Sequence, residues 1–471
     1  MFFRRLKSEG LAAYSYLIGE GGVAAVIDPR RDCEGYVRLA AREGARVRFI
    51  FETHRNEDFV TGSTELAAIT RAEVFHGRQL DFHFGNPLGD GQEFRLGSLL
   101  LRALHTPGHT EESFSLVAHD LDTGREPALV FTGDALFVGS VGRLDLFGGG
   151  GREREAAGFL YDSLFGRLLE LGDQAVLYPG HGGGSVCGLG MAERSFSTLG
   201  LERLQNPALK ERHPERWTRA QLIRQPFRPA YFTRMEAVNL QGPRVVGGFP
   251  RPRMLRPPEF RQEVEAGALV IDTREPHAFA AAHLQGAYNI WLEGLAPYAG
   301  FVVPYGPPLL LVADGEPQLE AASRSLFRLG YDGIIGCLAT REHVPGVLAT
   351  GVTDWYYQGL PTSQLGAITT PDFRAGVERG RYHVLDVRDD MEWAEGHIEG
   401  AQHIALGELP DRLGEVPTDR DIAVHCSIGH RSGIAASLLA RSGLRRVSNV
   451  LGGFGAWTAA GYPVVREGSR G

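Results

Sequence analysis

Cysteine is scarce in this sequence. Cys33, Cys187, Cys337 and Cys426 are the four present among 471 residues, they stand far apart, and none forms a CxxC pair. Such spacing does not make a disulfide framework and reads as free thiols in a reducing compartment. Long apolar runs are missing too: no stretch approaches the roughly 20 residues needed to cross a bilayer. The opening MFFRRLKSEG is basic but runs into Lys7, Ser8, Glu9 and Gly10, so a secretory signal is not expected and the protein reads as cytoplasmic. Nor is there an excess of positive charge. A net charge of −8 gives no electrostatic footing for nucleic acid or an anionic membrane, and small molecules are the expected partners.

What is present is the composition of globular protein, 43% hydrophobic and 23% charged, in a chain long enough for about three domains. Up to about residue 200, short apolar runs such as VRFIFETH, LLLRALHTPGH, ALVFTGD and AVLYPGH alternate with Gly, Pro and Asp. Several end in His or Asp, which is how strands deliver ligands into one site from the loops at their ends. Residues 196–241 read as helical and irregular, and 242–258, rich in Pro, Gly and Arg, as a linker, which makes 1–241 the first domain. Beyond it the chain repeats itself. The segment 259–290 matches 372–404 in pattern, including Asp272-Thr273-Arg274 against Asp386-Val387-Arg388, so two copies of one parallel α/β domain are expected, at 259–361 and 365–471.

In the second copy the strand Ile422 to His425 delivers Cys426, followed by Ser427, Ile428, Gly429, His430 and Arg431, and a helix expected near Ser432. A cysteine between a strand and a helix N-terminus meets backbone N–H groups and the helix dipole, which favour the thiolate nucleophile. Arg431 adds a fixed positive charge, and Gly429 allows the tight turn. With Gly396 to Ala401 and Gly452-Gly453-Phe454-Gly455-Ala456-Trp457, these residues resemble the rhodanese sulfurtransferases over nearly all of 365–465. The resemblance implies that Cys426 takes up sulfane sulfur as a persulfide, with Ser427, Ile428, Gly429 and His430 lining the substrate. Protein tyrosine phosphatases place five residues between Cys and Arg; the four here suit sulfur. In the first copy Asp314 stands for Cys426 and Leu319 for Arg431, so that copy reads as a structural or docking module, with Cys337 as packing.

Four further motifs, Thr53 to Gly62, Thr106-Pro107-Gly108-His109-Thr110, Thr132-Gly133-Asp134 and Pro179-Gly180-His181-Gly182, resemble the metallo-β-lactamase fold, an αββα sandwich. The family's His-x-His-x-Asp-His is altered: Asn56 and Phe59 replace two histidines. Mapped from the two-metal members, the first site keeps His54, His109 and Asp134, while the second keeps Asp58, His181 and the shared Asp134. A dinuclear zinc hydrolase is thereby disfavoured. Two imidazoles and one carboxylate with open positions suit a mononuclear Fe(II) oxygenase. The resemblance within this fold is to the persulfide dioxygenases, whose ligands occupy the positions of His54, His109 and Asp134 and whose substrate-side arginine matches Arg143.

That resemblance implies one Fe(II) per chain and oxidation of a persulfide of glutathione, coenzyme A or a similar small thiol to sulfite. Sulfite would in turn accept sulfur from Cys426 to give thiosulfate. Asp58 and His181 are expected to hydrogen-bond around the metal, or to be vestigial. Asn56 reads either as a partner of metal-bound water or as filler, His105 as structural, and Cys187 either as a sulfur carrier or as packing. Two rivals stay open: a glyoxalase II-like thioester hydrolase using zinc, and a metal-free platform for the rhodanese domain. The sequence leaves the choice of thiol, and whether the chain forms a homo-oligomer, undecided.

Overall fold

The computed structural model describes residues 1–466 apart from 224, 226 and 340–350, so parts of the domains expected at 259–361 and 365–471 lie outside the described residues. The chain divides into two compact units, Met1–Pro250 with Phe327–Gly330, and Arg251–Leu326 with Tyr331–Gly471.

The first unit contains two six-stranded sheets. One runs in chain order through Phe2–Ser8, Ala13–Glu20, Val23–Ile27, Arg46–Phe51, Glu73–Gly77 and Asn86–Leu88. The other includes Leu99–His105, Phe114–Asp120, Leu129–Gly133 and Val176–Pro179 as neighbours. Their apolar faces meet in a core of Tyr16, Phe49, Phe51, Phe94, Phe114 and Phe131. Each such fully buried aromatic stabilises the fold by about 1.5–3 kcal/mol. Helices Glu34–Arg42 and Ser63–Thr70 contribute Tyr36, Ala40 and Leu66 to a cluster on the outer face of the first sheet. Helix Glu153–Ser163 and Trp217 join a third cluster with Val117, Val130 and Leu177 of the second sheet. The arrangement is the αββα sandwich.

The second unit holds two five-stranded parallel sheets of the same topology. In the first copy Val270 and Ile271 lie between neighbouring strands, and in the second Val384 and Leu385 do so. The repeated Asp-x-Arg step explains itself here. Arg274 and Arg388 each place a guanidinium nitrogen 2.6 Å from the carboxylate of Asp272 and Asp386, at the end of a central strand. The segment read as a linker differs from expectation at its end. Arg253–Met254 pairs with Ile334–Ala339, Leu255 is buried in the core, and Pro257 and Pro258 open the helix Pro257–Glu265. Proline suits a first helical turn, where its missing N–H has no partner to lose, so the prolines mark a helix start. Among the described residues no helix is long and apolar enough to cross a membrane.

Candidate metal centre and cysteine loop

The histidines and Asp134 sit just past the C-terminal ends of four strands. His54 follows Arg46–Phe51, His109 follows Leu99–His105, Asp134 follows Leu129–Gly133, and His181 follows Val176–Pro179. The chain packs tightly there: a Cβ on Gly180 would lie 2.4 Å from Asp134 Oδ1. Ligand atoms of His54, His109 and Asp134 all lie within 4.8 Å of one another, and all three residues are buried. Asp134 Oδ2 is 3.7 Å from His54 Nε2 and 3.6 Å from His109 Nε2.

Backbone and hydroxyl partners fix which imidazole nitrogen faces the site. His109 Nδ1 lies 3.0 Å from Arg143 O, which can only accept, so Nδ1 carries the proton. Thr53 donates its hydroxyl proton to Asp28 Oδ2 at 2.8 Å, so its oxygen accepts from His54 Nδ1 at 3.0 Å. In the neutral rings both Nε2 lone pairs therefore point inward, as metal ligands require. Neither Nε2 has a hydrogen-bond partner, nor does either oxygen of the fully buried Glu57 beside them. Orphaned donor atoms of this kind fit a bound cation.

His181 bridges two carboxylates, with Nδ1 2.8 Å from Asp134 Oδ1 and Nε2 3.0 Å from Asp58 Oδ2. Burial opposes its charge, but Asp134, Cys187 and Asp58 together hold its pKa well above the ordinary value. Burial likewise opposes ionisation of Glu57 and Asp134, yet the histidines bring Glu57 to about 2 and keep Asp134 well below the usual carboxylate range. Against burial, Glu57 and Asp134 raise His109 to about 9. Cys187 Sγ lies 4.0 Å from His181 Nε2 and forms with Asp58 and His181 a second buried group of ligand type; burial raises its thiol pKa well above the ordinary value.

Other expected site residues fall less directly. Arg143 is buried, and its guanidinium meets Asp145 in two bonds of 2.7 Å and Val186 O at 2.9 Å, so its visible link to the centre is the carbonyl that orients His109. Asn56 turns its side-chain amide to His54 O at 3.1 Å. Phe59 stands with its ring 6.5 Å from that of His181. His105 bonds Glu111 O at 3.0 Å, in keeping with a structural role.

In the second copy Cys426 follows the strand Asp421–His425 and is 1% exposed. The Gly429 N–H donates to its Sγ at 3.2 Å, and the Ser432 hydroxyl lies 3.5 Å from it. The helix is His430–Arg441, two residues earlier than expected, because Gly429 at φ +108° turns the chain sharply into it. Loop and glycine motif are locked together. Phe454 N–H donates to Cys426 O at 2.7 Å and Gly455 N–H to Ser427 O at 2.8 Å. Arg431 does not stand as a bare charge beside the sulfur. Its guanidinium forms a fork on Glu392 at 2.6 and 2.8 Å and donates to Ser427 Oγ at 2.7 Å. Ile428 is exposed, while His430 bonds Glu275 at 3.1 Å and stacks on Trp291 at 4.6 Å, both from the first copy. Sequence patterns did not single out Glu57, Glu392, Glu275 or Trp291, whose roles arise from tertiary placement.

A metallo-beta-lactamase superfamily model matches residues 9–181, and a rhodanese-like domain model matches 369–460. An uncharacterized Mycobacterium leprae protein is 44% identical over 122 residues, 26% of this chain and 45% of that protein, so the chain spans about half the length of that relative. The mitochondrial persulfide dioxygenase ETHE1 of Mus musculus is 28% identical over 221 residues, 44% of this chain and 76% of that one. A cytoplasmic hydroxyacylglutathione hydrolase of Arabidopsis thaliana is 34% identical over 173 residues, 36% of this chain and 63% of the relative. Among solved structures, a metallo-beta-lactamase from Staphylococcus aureus superposes with a TM-score of 0.63 at 28% identity, covering 72% of this chain and 98% of its own. The N-terminal sandwich is therefore a domain of the metallo-β-lactamase type, matched over 9–181, and the C-terminal end carries a rhodanese-like domain, matched over 369–460.

Proposed function

We propose that the chain oxidises low-molecular-weight persulfides with O₂ at a mononuclear iron near His54, His109 and Asp134, and transfers sulfane sulfur through Cys426. The observation that carries this reading is the pair of inward Nε2 atoms beside the buried Asp134 carboxylate, a facial ligand set of the kind used by non-haem iron oxygenases. Similarity to persulfide dioxygenase ETHE1 and the rhodanese-like domain point to the same sulfur chemistry.

Iron bound there supplies a place where O₂ and a persulfide sulfur can react. The chain's own contribution is orientation and exclusion of water. Arg143 O and Thr53 hold the two imidazoles, and His181 keeps a proton on Nδ1 against Asp134. Persulfide (RSSH), O₂ and water together give thiol, sulfite and two protons. At the second site sulfite attacks the outer sulfur of a Cys426 persulfide; the S–S bond breaks, thiosulfate leaves and Cys426 thiolate remains. Gly429 N–H and the Ser432 hydroxyl face that sulfur, with Arg431 fixing the loop through Ser427. Glutathione or coenzyme A persulfides in the cytoplasm are the proposed substrates, and 1–241 and 365–471 the proposed extents of the two catalytic domains.

Anaerobically purified protein should contain iron at one per chain and consume O₂ on addition of glutathione persulfide. Both should be lost in His109→Ala, while Cys426→Ala keeps O₂ uptake and loses thiosulfate sulfurtransferase activity. Protein without metal and without O₂ uptake would sink the dioxygenase reading. The similarity to a hydroxyacylglutathione hydrolase favours a second reading, a zinc thioester hydrolase, which predicts zinc and turnover of a glutathione thioester without O₂.

A further inference from the structure

Glu57 occupies an x position of the first histidine motif, where nothing requires a particular side chain, yet it is fully buried at the metal centre. The backbone brings it there. Asn56 adopts φ +45°, a left-handed turn uncommon outside glycine, and Asn239 pins the turn by donating to Asn56 O at 2.7 Å and Phe59 O at 2.8 Å. With Asn56 bonded back to His54 O, the next side chain swings inward. Glu57 Oε2 then lies 3.6 Å from His54 Nε2 and Oε1 3.3 Å from His109 Nε2.

Two carboxylates thus face the same two imidazole nitrogens from separate residues. Asp134 Oδ2 meets the two nitrogens at 3.7 and 3.6 Å, and Glu57 meets them with its two different oxygens, Oε2 at 3.6 Å and Oε1 at 3.3 Å. Donors bound at about 2.0–2.2 Å to one ion, and subtending right to tetrahedral angles, stand about 2.8–3.6 Å apart. Without a cation the geometry is costly. Both Nε2 atoms and both Glu57 oxygens lack a hydrogen bond of ordinary geometry, so without a metal the buried carboxylate is held only by the two imidazoles 3.3 and 3.6 Å away, an ion pair whose desolvation is expensive. One divalent ion satisfies both nitrogens and the carboxylate at once.

We propose that Glu57 is a fourth protein ligand, making the centre a two-histidine, two-carboxylate site; this rests on the reading that His54, His109 and Asp134 hold a metal. Glu57 replaces in function the histidine lost at Asn56, reaching the ion from the neighbouring position. Two carboxylates cancel the charge of a divalent ion, and the added oxygen donor shifts preference toward oxygen-loving ions such as Fe²⁺ and Mn²⁺. In an octahedral ion the open positions fall from three to two.

The test uses the full chain loaded with Co²⁺ without O₂, read by its visible absorption and by titration against a competing chelator. Wild type should bind one Co²⁺, with Glu57→Gln weakening binding about tenfold or more and changing the band shape, while far-UV circular dichroism and a cooperative thermal transition of the first unit, which report its folding, are retained. A Glu57→Gln protein with wild-type affinity and spectrum overturns the Glu57 assignment and leaves the metal reading intact, provided that His109→Ala has lost the ion. Absence of Co²⁺ binding in wild type, or its survival in His109→Ala, overturns both. Should Glu57→Gln fail to fold, a crystal of Mn²⁺-loaded wild type decides: a Glu57 oxygen within about 2.5 Å of the ion supports the assignment, and one beyond about 3.5 Å removes it.

Discussion

Arg431 and Glu392 show how one charge is redirected by another. Burial disfavours the Glu392 carboxylate, but hydrogen bonds from Arg431 and Ser427, with the Arg431 charge, bring its pKa from 4.5 to about 2. A depressed carboxylate contributes its pairing fully above its unfolded pKa, so the pair supports the cysteine loop above about pH 4.3 and is lost as pH falls through about 2. Glu392→Gln should flatten that acid dependence of loop stability and lower sulfurtransferase activity at neutral pH several-fold, as measured by urea titration and thiosulfate kinetics across pH. An unchanged acid limb would show that the pair does not hold the loop. At this scale the sequence is most informative where chemistry and spacing coincide: Cys426, His54, His109 and Asp134 all stand in motifs. Glu392 and Glu57 were illegible because acidic residues are common, and what sets these two apart is a salt-bridge partner 39 positions away and a left-handed turn at Asn56.

Among the elements, the glycine segment after the last strand of the second copy does for the cysteine loop what a strand would do for another strand. Its amides bond Cys426 O and Ser427 O, and Gly453 itself sits at φ +54°, where an added Cβ would come 2.2 Å from Cys426 O. Gly453→Ala should therefore displace the loop and reduce sulfur transfer by about tenfold or more, because catalysis depends on sub-ångström placement. Far-UV circular dichroism should stay near wild type, since the change falls at the first residue of the short helix Gly453–Ala459; a fully active variant would show that the loop tolerates movement. The motif was visible in the sequence and its backbone duty was not. The repeat is the reverse case. Asp272-x-Arg274 and Asp386-x-Arg388 read plainly as copies, and the structure gives both the same buried ion pair. The misread linker end has a simple cause: proline signals a loop or a first helical turn equally well, and only Leu255 in the core decides for the latter.

For the molecule as a whole, the chain divides into two compact units, and the proposed oxidation and sulfur transfer fall one to each. If the metal closes the buried cluster of like-charged oxygens and lone pairs in the first unit, removing it should lower that unit's thermal transition by several degrees, since ligand binding to the native state is folding free energy. Chelated and iron-loaded samples compared by calorimetry, with sulfurtransferase rates recorded alongside, will show it; a transition insensitive to chelation, or a transferase rate that falls with the metal, contradicts the expectation. Fold classes were legible from motif order and from the repeat. Contacts within the second unit were not, because pairs such as Glu275 with His430 join positions 155 apart. Those contacts bear on how the chain can be taken apart. A minimal transferase cut at the start of the second copy would lose Glu275 and Trp291, and with them the support of His430 at the mouth of the loop. The copy without a cysteine in that loop is then a co-author of the surroundings of the copy that has one, and substitutions at Glu275 or Trp291 should surface as altered acceptor preference at Cys426.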